Sequence, residues 1–362
     1  MDLFFWLTYY AKCILNLIYA FFNGTNTIKT GDKCRNVKIH NYLYICHVYG
    51  TYYTMGMEYG KYMKKTLTRD VDTFLGWMQS NASVFQKKIP EIYRRKDIFA
   101  SLQALYLANH AYYNKDVLDY IEGVAKATGI AYMKLMHCNL FSDLMDNHCI
   151  ILSKSTPTGR LNIRTFDYGA PQLCHCVTVF HPTGRLAYLS LNVCFAFGIV
   201  SGVSEKNVFF GESYYDEKLE ERAAYLGMPF HHLSHLILSQ AADVQSAGVL
   251  LAKCKRQSNL QLLLADATTA RIYLSSENVF RVMQEGDVAS VTPNEQANFK
   301  LNSHYLDTIE NVVQKFIPGA KSGELHILIT HGTKMYVSVT TDILQSYNNT
   351  FYEYNLSDIF KH

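Results

Sequence analysis

The amino-acid sequence predicts an α+β protein, and three observations carry that reading. Apolar residues at helical spacing dominate the first 140 residues or so, entered through one strand-like run. From residue 149 the texture changes to short alternating segments separated by turn residues. Two helical segments follow, and strands return before the C-terminus.

The elements are taken in order. The opening "MDLFFWLTYYAKCILNLIYAFFNG" is apolar, but Lys12 interrupts a membrane span and Asp2 is the wrong charge for the start of a secretory signal. Residues 1–35 are read as a signal or membrane anchor with a polar linker, and a packed apolar helix is the alternative. Four N-x-[ST] sequons, at Asn23, Asn81, Asn348 and Asn355, agree with routing through the secretory pathway, to the exterior or a lysosome-like compartment.

"VKIHNYLYICHVYGTYY" alternates and is rich in β-branched and aromatic residues, which predicts a strand. In "TMGMEYGKYMKKTLTRDVDTFLGWMQ" the period becomes helical, and Gly56 and Gly60, four apart, leave a bare face for close approach. "SLQALYLANHAYY" is a further helix. "NKDVLDYIEGVAKATG" is another, capped by Asn114 and stopped by Gly129. "CIILS", "TPTGRLNIRTFDYG", "CHCVTVFHPTGRLAYLSLNV" and "NVFFGESYY" then read as successive antiparallel strands, with "PTG" twice at a corner. "PFHHLSHLILSQAADVQSAGVLLAKC" gives two helices, the second capped near Asp243, before strands at "LQLLLADATTARIYLSS", "HILITH" and "KMYVSVT". No repeat or Gly/Ser linker divides residues 36–362, which are read as a single domain.

Composition excludes several function classes. With 34 basic against 31 acidic residues and no arginine stripe, nucleic acid is not an expected partner. Nine cysteines include no C-x-x-C pair, which disfavours a zinc ribbon. "CHC" at 174–176 places two thiols together without completing a ligand set, and His231 and His235 lack a nearby carboxylate, so they read as a polar helix face. No metal or cofactor is expected. The excess of 27 Tyr over 2 Trp suggests a tyrosine-lined apolar pocket only weakly.

"VYGTYYTMGMEYGKYM", "LDYIEGVAKATGIAYMKLMHCN" and "GMPFHHLSHLIL…NLQLLLADATTARIY" resemble, in the right order, the motifs of the acyl-coenzyme A:6-aminopenicillanic acid acyltransferase-like (C45 peptidase) family of N-terminal nucleophile hydrolases, over about residues 47–360. The resemblance implies a four-layer αββα sandwich and a chain that cuts itself between His148 and Cys149, leaving two associated pieces. It implies that Cys149 is the nucleophile and that Arg164 and Asp167 of "RTFD" correspond to the family's "R-N-x-D". Asn294 is the nearest equivalent of the family's oxyanion asparagine.

The residue types suit that chemistry. A cysteine at a new N-terminus carries its own base, because an α-amine has a reference pKa of about 7.7–8.0 against about 8.5 for the thiol. An arginine on the neighbouring strand favours the thiolate and orients a carbonyl or carboxylate; an aspartate accepts from the α-amine. Taken alone, Arg164 and Asp167 would read as an exposed salt-bridged hairpin. The expected reaction is amide hydrolysis or acyl transfer from an amide or thioester through an S-acyl intermediate, on a small-molecule substrate with an apolar acyl group.

The chain departs from the family pattern at His148 and Ile150 around the nucleophile and at Pro293 before Asn294. It also has His304 where a second arginine would be sought. The departures motivate an alternative: a catalytically reduced member acting as a binding or lipid-associated protein.

Overall fold

The computed structural model describes residues 11, 26–31, 36–140, 149–167, 169, 171–215, 226–257, 259–276, 279–290 and 304–361. Most of the leader, with Asn23, lies outside the described residues, as do His148 and Asn294. Five helices fill the first part: α1 (Tyr52–Ser80), α2 (Ala82–Lys88), α3 (Ile98–Asn109), α4 (Lys115–Thr128) and α5 (Tyr132–Leu140). Two more, α6 (Phe230–Gln240) and α7 (Val244–Lys253), follow the central strands.

Helix ends obey the residues that flank them. Thr51 caps α1 by accepting the Thr54 amide, and Asn114 caps α4 by accepting that of Asp116. Gly129 closes α4 at φ +79°, a conformation a side chain would resist. Asp243 and Ser246 form a reciprocal capping box at α7. The bare face of α1 meets α4: a Cβ on Gly56 would lie 2.0 Å from the Tyr120 carbonyl oxygen. Gly123 makes the reciprocal approach, with a Cβ there 2.2 Å from the Tyr53 carbonyl oxygen.

Before α1 come β1 (Ile28–Thr30), β2 (Asn36–His40) and β3 (Leu43–Gly50). The central run supplies β4 (Ile151–Thr156), β5 (Gly159–Phe166), β6 (His175–Pro182), β7 (Tyr188–Val193), β8 (Ser201–Ser204) and β9 (Phe209–Tyr214). After the helices come β10 (Leu260–Ala265), β11 (Ala270–Ser275), β12 (Phe280–Glu285) and β13 (Val288–Ser290). The last strands are β14 (His326–His331), β15 (Lys334–Val339) and β16 (Phe351–Asn355). One sheet has seven strands in the order β1-β16-β15-β14-β5-β4-β13; the other has nine, β12-β11-β10-β9-β8-β7-β6-β3-β2. The pairs β1·β16 and β3·β6 are parallel and the other pairs antiparallel.

Period-2 alternation explains why many of these strands are apolar throughout. In β10, Leu262 and Leu264 join a core with the helices, while Leu263 and Ala265 join one shared with the other sheet. In β14, Leu328 faces that inter-sheet core, whereas Ile327 and Ile329 pack with Ile309, Val313 and Phe316 of the C-terminal helical segment. Among the described residues, apolar clusters thus form between helices and the nine-stranded sheet, between strands of the two sheets, and between the seven-stranded sheet and that segment.

One expectation changes. His231 and His235 do not make a polar face: with His232 they are buried, where α6 packs against β8 and β9. His235 donates from Nε2 to the Phe197 carbonyl at 2.8 Å, and Ser234 donates to that of Ile199. Of the sequons, Asn81 and Asn348 are buried, whereas Asn355 is exposed and caps the last helical turn. Among the described residues no helix is long and apolar enough to cross a membrane.

Candidate active site

The offset between Cys149 and "RTFD" is the length of a hairpin. Cys149 lies two residues before the start of β4, the chain turns at 157–158, and β5 returns with Ile151 opposite Arg164. The ladder continues beyond the paired strands: Thr165 donates its amide to the Ile150 carbonyl at 3.0 Å, and Ile150 donates its amide to Thr165 Oγ1 at 2.8 Å. Cys149 and Asp167 thus stand at the same end of the hairpin.

The Arg164 side chain is 0% exposed, which rules out an exposed salt-bridged hairpin. Its stem crosses β9 at Gly211, where a Cβ would lie 2.9 Å from Arg164 Cγ. Its Nη2 donates to Glu212, which is also fully buried. The guanidinium carbon sits 4.4 Å from the centre of the Phe166 ring. Arg164 Nε and Nη1 have no hydrogen-bond partner among the described residues, so two donors stay available in a dry site. Burial raises the Glu212 carboxyl from its ordinary value and Arg164 opposes that rise.

Cys149 is itself fully buried. Burial pushes its thiol well up; the Arg164 charge and the Asp167 amide pull it back, while Glu212 and Asp167 add to the rise. Ser213 of β9 donates to the Cys149 carbonyl at 3.0 Å. Asp167 is partly buried and its carboxyl is pushed up to about 7, first by desolvation and then by the charge of Glu324. Three donors resist that rise: Ser322 Oγ to Oδ2, and the amides of Gly323 and Glu324 to Oδ1 at 2.7 and 2.6 Å.

His326 pairs with Phe166 across β14 and β5, with ring centres 4.7 Å apart. Its Nε2 shares a hydrogen bond of 3.0 Å with Ser201, and burial keeps the ring neutral. Beside this group lies a small apolar cleft, lined among others by Phe74, Phe166, Leu173, Phe195 and Phe230. Its aromatic lining is phenylalanine. Phe166 belongs to both places: one ring walls the cleft and carries the Arg164 guanidinium.

The sequence reading thus named Cys149, Arg164 and Asp167, which the structure brings together. It missed Glu212, Ser213, Ser322 and His326. The one available signal was an acidic residue inside the otherwise apolar "NVFFGESYY" strand. In "CHC", Cys174 precedes β6 and accepts from Arg69 Nη2 at 2.8 Å. Among the described residues no cluster of three or more metal-ligating side chains occurs. His304 is exposed on the surface, its ring tilted at 59° against that of Tyr305.

No protein-family model matches the chain. Two curated proteins of Dictyostelium discoideum are similar to it. Protein dcd1B is 24% identical over 281 residues, covering 71% of this chain and 54% of the relative. Protein dcd1A is 22% identical over 231 residues, covering 57% and 52%. The chain spans about half the length of these relatives. Among solved structures, penicillin V acylase from Agrobacterium tumefaciens aligns with a TM-score of 0.38 at 12% identity, over 59% of this chain and 88% of that one. A mutant conjugated bile acid hydrolase from Clostridium perfringens aligns with 0.34 at 10% identity, over 58% and 92%.

Proposed function

We propose that the chain is a cysteine amidohydrolase or acyltransferase of the N-terminal nucleophile kind, cut before Cys149 and working through an S-acyl intermediate. The observation that carries this reading is the meeting of Cys149, Arg164 and Asp167 at one end of the β4–β5 hairpin, with the Arg164 charge acting on the thiol. The three apolar clusters fit the four-layer αββα sandwich of that class.

In maturation, the Cys149 thiol adds to the His148 carbonyl. The bond from that carbonyl to the Cys149 nitrogen breaks, and the nitrogen takes up the proton, leaving a thioester and a free α-amine. Water splits the thioester, restoring the thiol and leaving a carboxylate on His148. In turnover, the α-amine removes the thiol proton, sulfur attacks the acyl carbonyl of the substrate, and the leaving amine departs with that proton. Water or a second amine then takes the acyl group. A thiol held neutral by burial suits a precursor, because its base exists only once the cut has freed an amine of pKa about 8. The phenylalanine walls beside the site favour an apolar acyl group over a polar one.

A second reading, a catalytically reduced binding or lipid-associated protein, draws on the enclosed thiol and on an Asp167 whose oxygens already accept three hydrogen bonds. Intact-mass analysis and labelling of Cys149 by an acyl-like electrophile separate the two. A chain that stays whole and a thiol that never reacts selectively would leave the binding reading in place. Secretory routing and membrane association through the leader belong to the same proposal, and glycosidase treatment of protein from a glycosylating host tests the routing.

A further inference from the structure

We propose that Thr165 and Ser322 are positioning residues of the Cys149 site, forming a hydroxyl relay that locks the peptide after the nucleophile to the carboxylate of Asp167. This inference rests on the enzymatic reading above. Four groups lie in series: the Ile150 amide, Thr165 Oγ1 at 2.8 Å, Ser322 Oγ at 2.5 Å from it, and Asp167 Oδ2. Thr165 and Ser322 are both 0% exposed, so water cannot substitute for a missing member.

The relay has one polarity. An amide N–H only donates and an ionised carboxylate only accepts, so each hydroxyl must accept from the amide side and donate toward Asp167. In that sense both hydroxyl protons are used. Protonated Asp167 would instead donate to Ser322 and turn the Ser322 proton toward Thr165, which leaves the Thr165 proton without an acceptor along the relay. A buried hydroxyl proton without an acceptor is costly, so the arrangement selects the carboxylate. It thereby opposes the burial and the Glu324 charge that favour the acid.

The other side of the same peptide is held by Ser213, which donates to the Cys149 carbonyl at 3.0 Å. Hydroxyls from both sheets therefore clamp the Cys149–Ile150 peptide, Thr165 from β5 and Ser213 from β9. The titratable groups that bear on this site are Glu324 ahead of β14, Cys149 ahead of β4, Arg164 on β5 and Glu212 on β9. Among the described residues, the relay joins the backbone beside the nucleophile to Asp167.

The test uses the full chain and follows two readouts: the fraction cut before Cys149, and the rate at which a β-lactone labels Cys149 from about pH 5 to about pH 9. Ser322→Ala and the isosteric Thr165→Val are each expected to slow the cut about tenfold and to move the labelling midpoint up by about one pH unit. Thr165→Ser, which keeps the hydroxyl, is expected to follow the parent protein. Parent-like midpoints and cutting in both hydroxyl-deleted variants, with unchanged melting curves, would overturn the relay while the enzymatic reading stands. If one variant fails to fold, the other decides. A parent protein that is neither cut nor labelled at Cys149 would overturn the enzymatic reading, and the positioning role with it.

Discussion

Arg164 and Glu212 form an ion pair in which neither side chain reaches solvent. Removing one partner from such a pair leaves the other charge buried and uncompensated, which costs about 3–5 kcal/mol. Glu212→Gln is therefore expected to lower stability by that order in urea unfolding and to loosen the guanidinium beside Cys149. A loss below about 0.5 kcal/mol would mean that solvent reaches the pair.

Cleavage is the most direct expectation. Purified protein should yield a piece whose N-terminus is Cys149, readable by sequencing and by mass. Cys149→Ser should cut slowly, because a hydroxyl is the weaker nucleophile, and Cys149→Ala should remain whole with its fold intact. An Ala variant that is still cut at this bond would place the chemistry elsewhere, or in a contaminating protease.

Arg164→Lys keeps the charge but loses the planar fork that spans Glu212 and the Phe166 ring, so turnover should fall by at least about tenfold. Asp167 titrates near 7 in the folded chain against an ordinary 3.8, so the folded state holds a proton there between those values. Its contribution to stability is therefore present in acid and lost as pH rises through about 7. Asp167→Asn should abolish that trend and flatten the corresponding limb of the rate profile, which melting curves and labelling rates across pH would show.

The buried histidines have the opposite sign. Burial lowers His231 to about 3 and His235 to about 4, and takes His232 and His326 well below the ordinary 6.5. These groups stabilise the fold above the unfolded value and lose that contribution as pH falls, by roughly 1.4 kcal/mol per unit for each ring. Melting temperature should drop steeply from about pH 6.5 downward. Replacing His232 with Phe should recover part of the loss at acid pH, and a parent protein equally stable at pH 5 and pH 7 (roughly) would contradict this.

Much of this architecture was legible in local pattern. Gly56, Gly60, Asn114, Gly129 and Asp243 announce themselves because caps and close approaches depend on one or two neighbours. Cys149, Arg164 and Asp167 were named through the family resemblance; the residues alone read as an exposed salt-bridged hairpin, and the structure shows only that the three lie together. Glu212 and Ser322 were not named, since each joins the site from a strand or loop far along the chain, and only tertiary packing brings them there. The burial of His231 and His235 escaped for the same reason: a helix period says which residues share a face, not which face meets a sheet.

The connectivity of the sheets has a kinetic consequence. The part of the chain before residue 149 lends β1 to the seven-stranded sheet and β2 and β3 to the nine-stranded one, where eight residues of β3 run beside β6. A break ahead of Cys149 would thus be a nick in a woven object. Folding of the uncut chain is unimolecular, whereas recovery of the nicked protein from denaturant requires two strangers to meet. Its refolding yield should rise with protein concentration, while that of Cys149→Ala should not, and dilution should leave the nicked form stranded in halves once it has opened.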